Sequence, residues 1–272
     1  MSISIIIPAY KEAENLKVLL PQFQNILINQ NFEILIIDSI KKLDNTEEIV
    51  KQYNFAHYFN RENGNNYGDA IRTGIRYASM EYIVIMDADC SHPPNLINKF
   101  IEEINNGYDL VIASRYIDGA NSHKEFSLTL MSLILNKVYS FFLRLNIKDI
   151  SNSYRMYKSY MLKSIDLTFD NFDILQEILI KLMKKYNLKI KEIPINFQHR
   201  KFGESKRKLF KFICSYLFNL VKLYKIQTRP DQTRPDQTRP DQTIIKYSDL
   251  DFLYYTIILT HFFIFGKRRY YV

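Results

Sequence analysis

Cysteine is nearly absent. Cys90 and Cys214 lie far apart and form no CxxC spacing. A thiolate metal site and a disulfide framework are both excluded as organising principles, and a reducing compartment fits. Glycine is scarce, with 7 residues, so each glycine inside a motif carries weight. No GxGxxG follows the first apolar run, which argues against a nicotinamide-dependent dehydrogenase. No glycine-rich, basic loop stands there either, which sets aside a nucleotidyltransferase. The chain opens straight into apolar residues 3–7, without a basic stretch or a small-residue cleavage site, so no signal peptide is expected. The apolar, aromatic stretch 252–265 is shorter than the ~18–20 residues a bilayer span takes. It also holds His261, Tyr254 and Tyr255. It is expected to lie in a membrane interface rather than to cross it.

What is present is an ordinary globular composition, 47% hydrophobic and 24% charged. The net charge of +8 is not spread evenly. From Arg200 onward there are 15 Lys/Arg against 6 Asp/Glu, a balance of +9, which leaves the first 199 residues at −1. A near-neutral body followed by a basic, aromatic segment points to an anionic surface, here a membrane, and no nucleic-acid partner is expected.

Short β-branched runs at residues 3–8, 33–38, 82–87 and 110–114 read as buried parallel strands. Helical periodicity occupies residues 12–28, 46–53, 67–78 and 94–105 between and after them. Strands alternating with helices predict an α/β fold, a doubly wound, mostly parallel sheet. Such sheets bind ligands at the carboxyl ends of their strands. Pro8, Asp38, Asp87 and Ser114 all fall at those ends. Further helices are predicted at 127–143, 173–186 and 206–225. Residues 189–197 predict a strand which Pro194 confines to an edge.

Residues 227–243 read QT-RPDQT-RPDQT-RPDQT. Proline every fifth residue forbids a regular helix, so a polar linker is expected. The codons AGA-CCA-GAC-CAG-ACC, which encode Arg-Pro-Asp-Gln-Thr, are also the five-base unit AGACC read through three frames. A change of one unit would replace everything after Thr243. The chain is therefore divided into a catalytic domain at 1–206, an amphipathic basic helix at 207–226, the repeat at 227–243 and an aromatic tail at 244–272.

The chemistry is carried by Asp87-Ala88-Asp89-Cys90-Ser91-His92-Pro93-Pro94. Two carboxylates two residues apart, where a buried strand ends, can reach one hard cation. Such a cation neutralises a diphosphate leaving group. His92 reads as a turn residue rather than a ligand.

Across residues 3–206 the chain resembles the family-2 glycosyltransferases of GT-A fold, close to the dolichyl- and polyprenyl-phosphate sugar synthases. The matching stretches are IIIPAYKEAENL, EILIID, YGDAIRTGIRYA, YIVIMDADCSHPP, LVIASRY, DISNSYRMYK and EIPINFQHRKFGESK. The resemblance implies a nucleotide-sugar site, GDP- or UDP-linked, built from Pro8, Tyr10, Glu12, Asp38, Gly68, Asp69, Arg72 and Asp87, with Arg200, Ser205 and Lys206 in a lid over the diphosphate. It implies Mg²⁺ or Mn²⁺ on Asp87, Asp89 and Ser91. It places Ser114, Arg115 and Ser132 on the acceptor side, and Asp89, Arg115, Arg155 and Glu177 in catalysis. Lys158 follows Arg155 in the same stretch. The chain departs from the family at Ser39, Ile40 and Lys41, where a second acid and a glycine are usual, with Asp44 arriving late. It departs again at Leu128, where an arginine is usual and Lys124 stands nearby.

The expected reaction is inverting transfer of a sugar to a polyprenyl phosphate at the cytoplasmic membrane face by a peripheral protein. A glycan hydroxyl in envelope polysaccharide synthesis is the alternative acceptor, and would need a base, Asp149 or Glu177. A non-enzymatic membrane-binding protein would use the basic C-terminus alone. Assembly into a homo-oligomer stays open.

Overall fold

The computed structural model describes residues 1–122, 126–198 and 209–228, with side chains left out at 122, 126–131 and 209–218. Two compact units make up the chain, Met1–Ser205 and Lys206–Val272.

The first unit runs β1 (Ser2–Pro8), α1 (Ala13–Ile26), β2 (Asn31–Asp38), α2 (Thr46–Val50), β3 (Ala56–Asn60), α3 (Tyr67–Tyr77), β4 (Tyr82–Ile85), α4 (Leu96–Asn105) and β5 (Leu110–Ser114). It continues with β6 (Asn121–Ser122), α5 (Phe126–Phe142), β7 (Arg155–Lys158), α6 (Ser159–Lys163), α7 (Ile174–Lys185), β8 (Ile190–Pro194) and β9 (Asn196–Phe197). In the second unit α8 spans Leu209–Thr228. No helix among the described residues is long and apolar enough to cross a membrane.

Seven strands form one sheet in the order β3-β2-β1-β4-β7-β5-β8. All run parallel except β7, which pairs antiparallel with both β4 and β5. Residues β6 and β9 form a separate two-stranded pair. The central strands are apolar on both faces because helices cover both faces. Ile3, Ile5, Ile6 and Ile7 are wholly buried in β1, as are Ile34, Ile36 and Ile37 in β2. On α1, Leu16, Leu19, Leu20 and Phe23 supply the buried stripe at helical spacing, and Ile97, Phe100, Ile101 and Ile104 do so on α4. Helix α3 packs so closely on β1 that a Cβ at Gly74 would lie 2.4 Å from Ile6 Cγ2. As Pro194 predicted, β8 lies at an edge of the sheet, where a residue without an N–H breaks no interior ladder.

Besides the two-residue β6, two strands, both in the large sheet, were not predicted. β3 is short and only half buried, and β7 begins with an arginine. The second omission matters for the site, because β7 lies between β4 and β5.

Candidate active site

The strand registers bring the predicted residues into one row. Ile6 pairs with Ile85, so Pro8 stands beside Asp87 just past the ladder. Ile85 and Ile112 both pair with Arg155 of the reversed strand. Two steps further, Ser153 falls between Asp87 and Ser114. The row at the carboxyl edge is therefore Pro8, Asp87, Ser153 and Ser114, with Asp38 one residue past Ile37, the partner of Pro8, and it is the place where α/β sheets hold ligands.

Asp87 is partly exposed, and its Oδ1 accepts the Ser153 hydroxyl at 2.9 Å. Its backbone N–H donates to His92 Nδ1 at 3.0 Å. His92 is wholly buried and stacks on Tyr154 with ring centroids 4.8 Å apart. It thus anchors the loop from inside, in keeping with a turn residue. After Asp89 the chain turns through Cys90 at φ 63, in the left-handed region. That turn returns Ser91 onto Asp89 Oδ1, with the backbone N–H at 3.1 Å and the hydroxyl at 2.6 Å. Ser91 was expected as a metal ligand. In this structure its hydroxyl is bonded to Asp89, which it orients.

The donor set here suits a hard divalent cation. Asp87 and Asp89 supply carboxylate oxygens, and no described ion pair neutralises Asp87. Among the described residues no cluster of three or more His, Cys, Asp or Glu would hold a metal unaided. Two protein carboxylates, with the remaining positions filled by substrate phosphate and water, are what Mg²⁺-type sites use.

Along the row from Pro8, Asp38 is buried at the end of β2. Its Oδ1 accepts the Ser39 N–H at 2.7 Å and its Oδ2 accepts the Tyr58 hydroxyl at 3.3 Å. Burial raises its carboxyl above the usual value of 3.8, against the Ser39 N–H, which favours the charge. Tyr58 is pushed up to about 12, by burial first and then by the Asp38 charge. Tyr10 is exposed, and Glu12 Oε2 accepts Asn15 Nδ2 at 2.6 Å. Asp44, the late acid, accepts the N–H groups of Ala13 and Thr46, and so serves the starts of α1 and α2.

Arg61 was not singled out from sequence. It is buried, donates to Ala9 O at 2.6 Å, and also reaches the carbonyls of Asn65 and Asn66. It ties the loops after β1 and β3 together beside Asp38, whose charge it feels. Nothing in its local pattern, Asn-Arg-Glu-Asn-Gly, marks it as buried.

Gly68, Asp69 and Arg72 serve the fold of α3 in ways the resemblance did not imply. Asp69 Oδ2 accepts the Asn66 N–H at 2.9 Å, one half of a capping box. Its Oδ1 takes Arg72 Nη2 at 2.7 Å, and Arg72 Nη1 donates to Phe169 O at 2.7 Å. The Gly68 N–H donates to Asp170 O at 2.7 Å. A Cβ at Gly68 would lie 2.1 Å from Phe169 O. This glycine thus admits the 168–170 turn, which is the close approach the structure records.

The same turn accounts for Glu177. It is wholly buried and accepts the Thr168 N–H, the Thr168 hydroxyl at 2.8 Å and the Phe169 N–H at 2.9 Å, with Lys181 Nζ 2.7 Å away. Arg155 is equally buried, and donates to the carbonyls of Asn152, Leu175 and Ile150. Both were expected in catalysis. Here Arg155 is bonded to backbone carbonyls, and Glu177 to backbone N–H groups, the Thr168 hydroxyl and Lys181, because a buried charge must be answered by the polar groups around it.

At the other end of the row, Ser114 is buried at the end of β5, and Arg115 forms a two-pronged pair with Asp149, Nε to Oδ2 at 2.7 Å and Nη2 to Oδ1 at 2.8 Å. Arg115 Nη2 also reaches Ser151 Oγ at 2.7 Å. Burial would raise Asp149, but the Arg115 charge and hydrogen bonds outweigh it and hold the carboxyl below its usual value. Ser132 lies close by, with its carbonyl taking Asn136 Nδ2 at 2.9 Å and its side chain bonded to Tyr116. Asn136 also binds Ser151 Oγ and the Ile150 N–H, and so fastens α5 to the loop before β7. Lys158 pairs with Asp109 at the far end of the sheet, away from the row. Lys124, Arg200, Ser205 and Lys206 lie outside the described residues, as do the RPDQT units and the aromatic tail.

With this geometry in place, the comparisons are specific. The model of "Glycosyl transferase family 2" matches residues 4–166. The dolichol-phosphate mannosyltransferase of Pyrococcus furiosus is 34% identical over 83% of this chain and 64% of its own length. The chain thus spans somewhat under two thirds of that relative. The polyprenol monophosphomannose synthase of Mycolicibacterium smegmatis is 28% identical over 74% of this chain and 79% of its own. In fold, the chain resembles glucosyl-3-phosphoglycerate synthase of Mycobacterium tuberculosis, solved with Mn²⁺, UDP and product. There the TM-score is 0.64 at 15% identity, over 85% of this chain and 81% of the other. A GT-A-like sheet, a carboxylate pair at the end of β4 and a family match over most of the first unit agree: the chain belongs to glycosyl transferase family 2.

Proposed function

We propose that this protein transfers a sugar, with inversion, from a nucleotide sugar to a polyprenyl phosphate at a membrane surface. The observation that carries the choice of acceptor is the state of the two acids a hydroxyl acceptor would need. Asp149 and Glu177 are both wholly buried, and both are bonded to the protein. A phosphate monoester brings its own negative charge to the anomeric carbon, so it asks for no strong base. The names of the archaeal and mycobacterial relatives support the same acceptor class.

Asp87 and Asp89 would hold Mg²⁺ or Mn²⁺, and the cation would draw charge from the departing diphosphate. The chain itself supplies placement. Ser153 and His92 fix Asp87, and Ser91 fixes Asp89. Asp38 and Tyr10 flank the nucleoside end, with Arg61 holding their loops. Ser114 and Ser132 face the acceptor end, where Asp149 steadies Arg115. One displacement along a line from acceptor to donor inverts the anomeric carbon, and rigid placement supplies much of the rate. The basic C-terminal segment supplies the attraction to an anionic membrane.

The test is a donor screen by thermal shift with GDP-mannose, UDP-glucose and UDP-GlcNAc, each with and without Mn²⁺, followed by transfer to polyprenyl phosphate. One donor should stabilise the protein only with metal present, and should then label the lipid. Transfer that survives both Asp87→Ala and Asp89→Ala would overturn the metal reading. Labelling of a glycan hydroxyl, and not of the lipid phosphate, would overturn the acceptor.

A further inference from the structure

We infer that residues 227–243 are the translation of a tandem five-base repeat, and that the number of units selects the C-terminus attached to a constant catalytic unit. The genetic code and the boundaries of the fold carry this, independently of the proposed reaction.

The peptide Arg-Pro-Asp-Gln-Thr occupies fifteen codon positions. If five bases fill them by tandem repetition, each base must satisfy three codons at once. Aspartate requires GA at the second and third bases of the unit. Proline requires C at the fourth and fifth. Glutamine then requires A at the first. One unit meets every condition, AGACC, and it returns arginine from AGA and threonine from ACC without further choice. A peptide repeat selected for its side chains has no reason to meet this. The two residues ahead of the first arginine, Gln227 and Thr228, continue the same cycle backwards. The seventeen residues therefore correspond to ten units and one leading base. The surrounding chain is rich in Ile, Lys, Asn, Tyr and Phe, whose codons are AT-rich, so this GC-rich block stands apart from its context.

Five and three share no factor, and this has two effects. Read in any frame, the repeat gives the same cycle of five residues, with no stop codon. Gain or loss of one unit therefore leaves the peptide open but delivers translation into a different frame at its exit. Only a change of three units restores the frame, adding or removing five residues.

The fold shows what such a change can reach. The first unit, which contains the whole row of site residues, ends at Ser205. Helix α8 ends at Thr228, two residues before the first proline of the repeat. Both are translated before the repeat exits. Slippage thus spares the catalytic unit and replaces residues 244–272. In the present phase that segment holds the apolar, aromatic stretch 252–265 followed by Lys267-Arg268-Arg269, a composition that seats in a membrane interface. A shift of frame at the exit of the repeat replaces it. The device changes where the enzyme sits and leaves its chemistry alone.

The test begins with the DNA of the locus from many single colonies. Uninterrupted AGACC units are expected, with a minority of colonies differing by whole units. Mixed synonymous codons, such as CGT for an arginine or CAA for a glutamine, would overturn the inference. So would an invariant unit number through prolonged passage. The second arm is an allele recoded with mixed codons, which leaves the protein unchanged. Its length variation should vanish, and persistence would overturn the mechanism. In the third arm, mass spectrometry of colonies of each unit number should find peptides of residues 1–205 in all three frames. Peptides of residues 244–272 should appear in one frame alone, accompanied by a larger membrane-bound fraction. Loss of the catalytic-unit peptides in the other two frames would overturn the constancy of that unit.

Discussion

Ser153 Oγ donates to Asp87 Oδ1 across 2.9 Å, linking the loop that enters β7 to the carboxylate that ends β4. A residue that orients a metal-binding carboxylate commonly changes metal affinity by about 10–100-fold when removed. Ser153→Ala should therefore raise the Mn²⁺ concentration needed for half-maximal thermal stabilisation by roughly tenfold. Ser153→Thr, which keeps the hydroxyl, should restore most of it. Equal Mn²⁺ requirements in wild type and the alanine variant would remove Ser153 from the site.

Asp149 and Arg115 form a pair that is nearly closed to solvent. Breaking a buried ion pair by neutralising one member costs about 3–5 kcal/mol. Asp149→Asn should lose that order of stability at neutral pH in urea unfolding. The pH dependence has a definite sign. Because the folded carboxyl titrates below its usual 3.8, its contribution is complete above that value and is lost as pH falls toward the lowered one. The variant should show a flatter acid limb than wild type in the same window.

Asp38 has the opposite sign. Its folded carboxyl is raised by burial, so its ionised form opposes folding at neutral pH. Asp38→Asn should raise the unfolding midpoint there, and the gain should shrink as pH falls through the raised value. The same change should weaken binding of the nucleotide sugar by roughly tenfold, the worth of one charged hydrogen bond. Calorimetric titration beside denaturant melts checks both, and a variant that is less stable with unchanged affinity contradicts this assignment.

The 168–170 turn is gripped from two sides, by Glu177 and by the start of α3. Gly68→Ala places a methyl against the Phe169 carbonyl, where backbone must move, at a cost of about 1–3 kcal/mol. Glu177→Gln turns an acceptor toward N–H groups into a donor, and should be costlier. In both variants activity should fall with the folded fraction. A fully folded Glu177→Gln protein with abolished turnover would return Glu177 to the chemistry.

The parallel core was legible because a strand covered on both faces is written as an unbroken apolar run, as in residues 5–7 and 34–37. The convergence of Pro8, Asp38, Asp87 and Ser114 followed from where such runs end. Strand β7 was not legible, since four residues, Arg155 to Lys158, carry no run, and their sheet partners are distant in sequence. The surroundings of Arg155 and Glu177 were not legible for a related reason. A charged residue in a motif looks the same whether it meets substrate or backbone, and only the folded carbonyls and N–H groups around it tell the two apart. Arg61 was missed because its partners come from loops as far away as Ala9.

A reversed strand in the middle of the sheet also acts as a spacer. With β7 inserted, the ends of β4 and β5 stand two strand widths apart, roughly 9–10 Å, rather than one. Asp87 and Ser114 are thereby held two strands apart at the carboxyl edge of the sheet. Backbone hydrogen bonding maintains that interval, so evolution is free to vary side chains on either bank without altering the width of the crossing.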